Sequence, residues 1–281
     1  MVVSGAIELL DRGVTDVAGT LGRELGKRRV FGGRPSVLGH RGLGRGSVGG
    51  HEENTGASFR QAVAAGLRWL ELDVRRCADG ALVGGHFPTH ADGAFTATLT
   101  LAEARARGAV PLEELLDGLP PQISLDLDLK SSLEDALRPA GTTTAALLAP
   151  VAAQMARERS LFVSSFDPAA LLILRERAPD LALGLLTWVG FPLRKAIPAA
   201  AHLGLDVVGA HWMSFGPNEI DRAPFHVPAK ESIAVAHEAG LEVLAWTPPV
   251  ERALELLEAG VDAVVVDDVP STLPLLAHLA D

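Results

Sequence analysis

Cysteine occurs once in the 281 residues, at Cys77. An intramolecular disulfide and a multi-cysteine metal site are therefore excluded, and nothing hints at an oxidising compartment. Positive charge is scarce as well, and the formal net charge is −10. That balance argues against a nonspecific nucleic-acid binder, although a local basic pocket for a small anion remains compatible with it. No run approaches 18 apolar residues, so no membrane span is expected. The start, MVVSGAIELLDRG, lacks a basic stretch followed by a long apolar core, so it does not read as a secretory signal. The expectation is a soluble cytoplasmic protein. With 48 % hydrophobic residues the composition is globular, and the length suits one α/β barrel or two small domains.

Residues 7–25 place Ile7, Leu10, Val14, Val17, Leu21 and Leu25 at steps of three and four, the pattern of an amphipathic helix. Simple packing on the rest of the chain is the expected use of that helix. GKRRVFGGRPS then reads as a linker, so the expected division is 1–35 for helix and linker and 36–281 for one domain. From residue 36 short apolar runs alternate with helix-length segments. The runs are SVLGH, RWLELDVR, ALVGGH, ISLDLDL, LFVSSF, LALGLLTW, LDVVGAHW, LEVLAWT and DAVVVDD. Repeated β and α elements imply a parallel sheet with helical crossovers, here a closed TIM-type (β/α)8 barrel. The second and third runs are separated by RCADG alone, too short for a crossover. They should form an antiparallel hairpin turning at Asp79-Gly80, which makes eight barrel strands and one extra.

In such a barrel the chemistry sits at the carboxyl ends of the strands. Those ends carry His40 and Arg41, Glu71 and Asp73, His86, Asp126, Asp128 and Lys130, Ser164 and Ser165, His211 and Trp246. Glu71 and Asp73 share one strand face, and so do Asp126 and Asp128. Carboxylates crowded in a barrel mouth repel. Either a cation relieves them, Mg²⁺ or Ca²⁺ given hard oxygen donors, or they form a salt-bridge network with Lys130 and Arg41. A turn centred on Asp79-Gly80 sets His86 opposite Asp73, where an imidazole either passes protons or serves as a satisfied structural histidine. Arg41 is either a phosphate grip or part of a surface dipeptide. The glycines of VLGHRGLGRGSVGGHEENT carry neither a Walker ending nor dinucleotide spacing, so Leu43 to Glu52 is expected to bend over the mouth as a mobile rim.

Together these residues resemble the glycerophosphodiester phosphodiesterases. The matching elements are His40-Arg41-Gly42, Glu53-Asn54-Thr55 with Ser58-Phe59, Glu71-Leu72-Asp73-Val74, Asp79-Gly80, His86, and Asp128-Leu129-Lys130. The similarity continues through VPLEELLDGL, SSFDPAALLILRERAPDL, AWT and AGVDAVVVDDV. The resemblance implies metal-dependent hydrolysis of glycerophosphodiesters to sn-glycerol 3-phosphate and an alcohol. It makes His40 and His86 the acid–base pair, gives the divalent cation to Glu71, Asp73 and Asp128, and gives phosphate oxygens to Arg41 and Lys130. Glu53, Asp126 and Trp246 would support these groups, with Asp126 an alternative ligand. Its partner is a small glycerophosphodiester, with no nucleic acid, no stable membrane insertion and room for a homo-oligomer. The chain departs from the family in having Phe87 after His86, Asp128 where Glu is usual, Glu52 before Glu-Asn-Thr, and Pro248-Pro249 after Trp-Thr. Two other readings stand beside this one: a lysophospholipase D-like lipid phosphodiesterase, and a noncatalytic phosphate-ligand binding homologue.

Overall fold

A computed structural model describes residues 29–276. The amphipathic pattern over 7–25 lies outside the described residues. Eight strands close a parallel barrel: β1 (Ser36–Gly39), β2 (Trp69–Arg76), β3 (Ser124–Leu129), β4 (Leu161–Ser165), β5 (Ala182–Thr187), β6 (Val207–His211), β7 (Glu242–Trp246) and β8 (Ala263–Val266). Closure comes from β1, which pairs with β8 on one side and β2 on the other. The expected extra strand is Leu82–Gly84, antiparallel to β2.

The alternation within each strand sorts the core into two layers. Leu70, Leu72 and Val74 of β2 and Leu125, Leu127 and Leu129 of β3 face the surrounding helices and join the large outer core. The opposite faces, with Leu38, Trp69, Phe162, Leu186, Val207, Leu244 and Val265, fill the lower barrel. Burial of such branched and aromatic side chains stabilises by about 1.5–3 kcal/mol each. Phe31, in a segment that reads as linker, is only 5 % exposed and belongs to this inner layer. Its ring lies 5.3 Å from Trp69 and 5.6 Å from Phe162. The Glu242 carboxylate accepts the backbone N–H groups of Val30 and Phe31, which ties this plug to the start of β7. Glycine and proline on either side mask one core aromatic.

The glycine-rich segment after β1 forms a short hairpin whose root is hydrogen-bonded to the chain beyond β8. Ser47–Val48 pairs with His51–Glu52, and the turn residues Gly49 and Gly50 have φ of +57° and +80°, the double left-handed turn that suits a two-residue hairpin. At its root Gly44 passes so close to β8 that a Cβ would sit 1.9 Å from the Asp267 carbonyl oxygen. Arg45 N–H donates to that same carbonyl at 3.0 Å, and Val269 N–H donates to the Leu43 carbonyl at 2.8 Å.

Cys77 is fully buried beside Val83 and Ala104, under the extra strand. Burial, followed by the nearby Asp79 charge, pushes its thiol up to about 11. At pH 8 the native protein should therefore react with an aromatic disulfide reagent at least ~100-fold more slowly than the urea-unfolded chain. The absorbance time course checks this; equal rates would mean that the thiol is open to solvent.

Candidate active site

The site is built on two facing rows. Along β2, alternation sends Trp69, Glu71, Asp73 and Arg75 to the barrel interior. Parallel register sets Glu71 opposite Asp126 and Asp73 opposite Asp128 on β3. Four carboxylates thus share one buried patch. Burial, reinforced by Asp73 and Asp128, pushes the Glu71 carboxyl well above the usual range. Asp126 is raised by burial and then by Asp128. Asp128 is also raised by burial, although Lys130 beside it pulls the other way. Asp73 differs. Burial opposes its charge, yet Lys130, His86 and Arg41 hold it well below the usual range. Lys130 Nζ lies 2.9 Å from Asp73 Oδ1 and also bonds Asp128 Oδ2. It follows the last residue of β3, where the chain leaves the ladder and the side chain turns inward.

His40 and Arg41 follow β1. His40 Nδ1 is 2.5 Å from Asp267 Oδ1, and Nε2 is 3.9 Å from Glu71 Oε2. Arg41 takes a left-handed backbone with φ of +55°, the kind of strain that recurs at functional sites. In this conformation its N–H donates to Glu71 Oε2 at 2.8 Å. Its guanidinium donates to Glu53 Oε1 at 2.8 Å and to His86 Nδ1 at 2.9 Å. Arg41 Nε is also 3.1 Å from Asp73 Oδ2, an ion contact out of line for a hydrogen bond. Burial would lower the Arg41 pKa, but Asp73, Glu71 and Glu53 raise it on balance. Glu53 takes a second bond from Gly46 N–H at 2.5 Å, which joins Arg41 to the glycine hairpin.

The β2 hairpin brings His86 to Asp73, but by another register than the one expected. Val74 pairs with Gly84, and Arg76 with Leu82. Gly85, one residue early, therefore stands opposite Asp73 and donates its N–H to the Asp73 carbonyl at 3.2 Å. The turn from Cys77 to Ala81 is wider than a two-residue turn, because Cys77 N–H bonds the Ala81 carbonyl and the Asp79 side chain accepts from Ala81 and Leu101. His86 has left the ladder, and its Nδ1 reaches Asp73 Oδ1 at 3.2 Å.

Three residues of the site do not stand out in the sequence reading. Asp267, one residue beyond β8, is the partner of His40; its signal was the acidic pair ending the last strand. Asn54 donates to Asp73 Oδ2 at 2.8 Å and accepts the Asp73 N–H at 3.2 Å. Arg75 continues the Glu71–Asp73 row at the same spacing of two. Of the remaining candidates, Asp126 accepts from Ser164 Oγ at 2.7 Å. Ser165 is buried and bonds the Leu129 carbonyl, so both serines line the barrel. Trp246 packs 4.5 Å from His211, with its indole N–H buried and without a partner among the described residues. Asp126, Ser165, His211 and Trp246 border a cleft of about 710 Å³ together with His40, Arg41, Glu71, Arg75, His86, Asp128 and Lys130.

The acidic cluster fits a cation. Donor oxygens of Glu71, Asp73 and Asp128 lie within 4.8 Å of one another. Among the described residues Glu71 Oε1 and Asp128 Oδ1 are buried without any hydrogen-bond partner, and such orphaned acceptors are costly unless something binds them. Six carboxylates (Glu53, Glu71, Asp73, Asp126, Asp128, Asp267) face three cations (Arg41, Arg75, Lys130), so the site is net negative when all are ionised. A divalent ion with a preference for oxygen donors fits the donor set and offsets part of that excess.

Two histidines, Arg41, Lys130 and an acidic triad thus meet at the mouth of a closed TIM-type barrel. The chain belongs to the glycerophosphoryl diester phosphodiesterase family, whose profile matches residues 40–271. Among solved structures it is similar to a Silicibacter pomeroyi DSS-3 protein whose name places it with the glycerophosphoryl diester phosphodiesterases (27 % identity, TM-score 0.70, 88 % of this chain and 95 % of that one). It shares its fold with an Oleispira antarctica phosphodiesterase solved in complex with the product sn-glycerol-3-phosphate (23 % identity, TM-score 0.69, 89 % and 100 % of the chains). It also shares it with a Thermotoga maritima glycerophosphodiester phosphodiesterase (20 %, TM-score 0.65, 85 % and 97 %). No curated protein matches the chain significantly.

Proposed function

We propose that the protein hydrolyses glycerophosphodiesters to sn-glycerol 3-phosphate and an alcohol, with His40 as general base and His86 as general acid. The opposite hydrogen bonding of the two imidazoles carries this reading. Asp267 accepts only, so His40 keeps its proton on Nδ1 and offers the Nε2 lone pair. Arg41 donates only, so neutral His86 accepts at Nδ1 and bears its proton on Nε2. When His86 takes a second proton, its Nδ1–H turns to Asp73 Oδ1, 3.2 Å away, and Nε2–H remains for the leaving group. His40 then removes a proton from the attacking water while His86 gives one to the departing alkoxide, so that one water is consumed for each monoester and alcohol formed. Arg41 and Lys130 meet the phosphate oxygens, whose charge grows in the transition state. Glu71, Asp73 and Asp128 are the residues that would hold a divalent cation, which when bound polarises phosphoryl oxygens.

Phe87, Trp188 and Val189, 66 %, 68 % and 49 % exposed, also line the cleft. Apolar walls of this extent favour a second reading on the same machinery, a lysophospholipase D-like action. One assay separates the two: choline release from glycerophosphocholine and from short-chain lysophosphatidylcholine, each with Mg²⁺, Ca²⁺ or EDTA. Cation-dependent release from glycerophosphocholine that vanishes in His40→Ala is the expected result. Preference for the lysolipid, reduced by Trp188→Ala, would favour the second reading. Cation binding with no turnover of either substrate would leave a binding protein and sink both.

A further inference from the structure

Arg75 ends the inward row of β2 and borders the cleft beside His86 and Phe87. Unlike Arg41, it spends its hydrogen bonds on main-chain carbonyls. Nε donates to Gly85 at 3.0 Å and to His86 at 3.1 Å, and Nη2 donates to His86. Those carbonyls belong to the segment that has just left the sheet, since the extra strand ends at Gly84. Past His86 the segment is anchored again only from Pro88, whose carbonyl accepts the Thr96 N–H at 2.9 Å. Among the described residues the stretch from Gly85 to Phe87 thus has few ties besides Arg75 and the 5.0 Å contact between the His86 and Phe87 rings. Gly85 N–H makes one bond back to β2, Phe87 is mostly exposed, and the imidazole touches Asp73 and Arg41 through the same nitrogen. A guanidinium fork is planar and presents two parallel donors, so it fixes both the place and the tilt of a peptide, which a single ammonium cannot do.

We infer that Arg75 is the positioning residue for His86: its grip on the Gly85 and His86 carbonyls sets where the imidazole stands. The inference rests on the reading of His86 as the general acid. A displacement of about 1 Å at a catalytic group costs on the order of 10²-fold. Arg75→Ala should therefore lower kcat for glycerophosphocholine by roughly that factor with little change in KM. Arg75→Lys should recover only part of the loss.

The test uses the purified full chain and two substrates, glycerophosphocholine with a poor leaving group and glycerol 3-(p-nitrophenyl phosphate) with a good one. His86→Ala, Arg75→Ala and the double variant are measured on both, with thermal melts to confirm folding. Should Arg75→Ala fail to fold, Arg75→Gln and Arg75→Lys carry the same comparison. The expected result is a loss by Arg75→Ala that is large on glycerophosphocholine and small on the nitrophenyl ester. In the double variant, removing Arg75 should cost nothing more once His86 is gone. A loss that multiplies in the double variant, or one that falls mainly on KM, would overturn the inference and make Arg75 a substrate contact. A His86→Ala loss equal on both substrates would instead remove the acid role from the proposed function, and the double variant would still decide the part played by Arg75.

Discussion

Asp267→Asn should cost about 10³–10⁴-fold in kcat with the fold intact and KM little changed, the scale reached when a paired carboxylate is neutralised and its histidine adopts the wrong tautomer. The present contact is a hydrogen bond from His40 Nδ1–H to the Asp267 carboxylate, which as an ionised acceptor strengthens it. An asparagine can turn its NH₂ group toward Nδ1. The imidazole would then carry its proton on Nε2, the nitrogen that should accept one, and the base would be occupied before the reaction began. Asp267→Ala leaves Nδ1 without a fixed partner and should be damaged less severely, since both tautomers remain open. Steady-state rates with glycerophosphocholine check the order of the variants, and His40→Ala with Asp267→Asn should be no worse than His40→Ala alone. The ¹⁵N shifts of the His40 ring should show the proton moved from Nδ1 to Nε2 in Asp267→Asn. Wild-type kcat in that variant would mean that His40 does not act through Nε2.

Asp267 also shows where a linear reading stops. Spacing along one strand is visible in the chain, so Glu71 with Asp73 and Asp126 with Asp128 read directly as rows on one face. Contacts across strands depend on register and closure. His40 and Asp267 are 227 residues apart and meet because β8 lies beside β1. Arg75 follows the same alternation as Glu71 and Asp73, but Arg76 beside it makes the pair look like the solvated end of a strand. Arg76 is in fact buried, with its guanidinium on the Cys77 carbonyl. The hairpin contact was legible while its register was not, because the Asp79 side chain holds a wider turn than its dipeptide suggests. In the glycine segment, composition suggests mobility. The three-dimensional reason for glycine at position 44 is the carbonyl of Asp267 against it, which no local pattern reveals.

The cation-free protein should lose stability as pH rises above about 4 and the raised carboxyls are forced to ionise, and a divalent cation should restore it. Glu71, Asp126 and Asp128 all have folded pKa values raised above those of the unfolded chain, for which about 4 is ordinary. Above pH ~4 the folded state therefore holds more protons than the unfolded one, and its stability falls as pH climbs toward the folded values. Each retained proton contributes a slope of about 1.4 kcal/mol per pH unit. Asp73 works in the opposite sense. Its lowered pKa stabilises the fold above the unfolded value and is lost only in strong acid, so it does not offset the slope in this window. A cation present at 100 times its Kd would add about 2.7 kcal/mol. Its carboxylate ligands would already be deprotonated, so the pH dependence should flatten as well. Thermal melts across this range with Mg²⁺, Ca²⁺ or EDTA measure both effects, and Asp128→Asn isolates the cause. That variant removes one of the repelling charges, so it should melt higher than wild type in EDTA at pH 8 and respond little to either ion. If wild type melts at one temperature across the range, with or without ions, the buried carboxylates are balanced by Arg41, Arg75 and Lys130 alone, and the orphaned oxygens of Glu71 and Asp128 serve no cation.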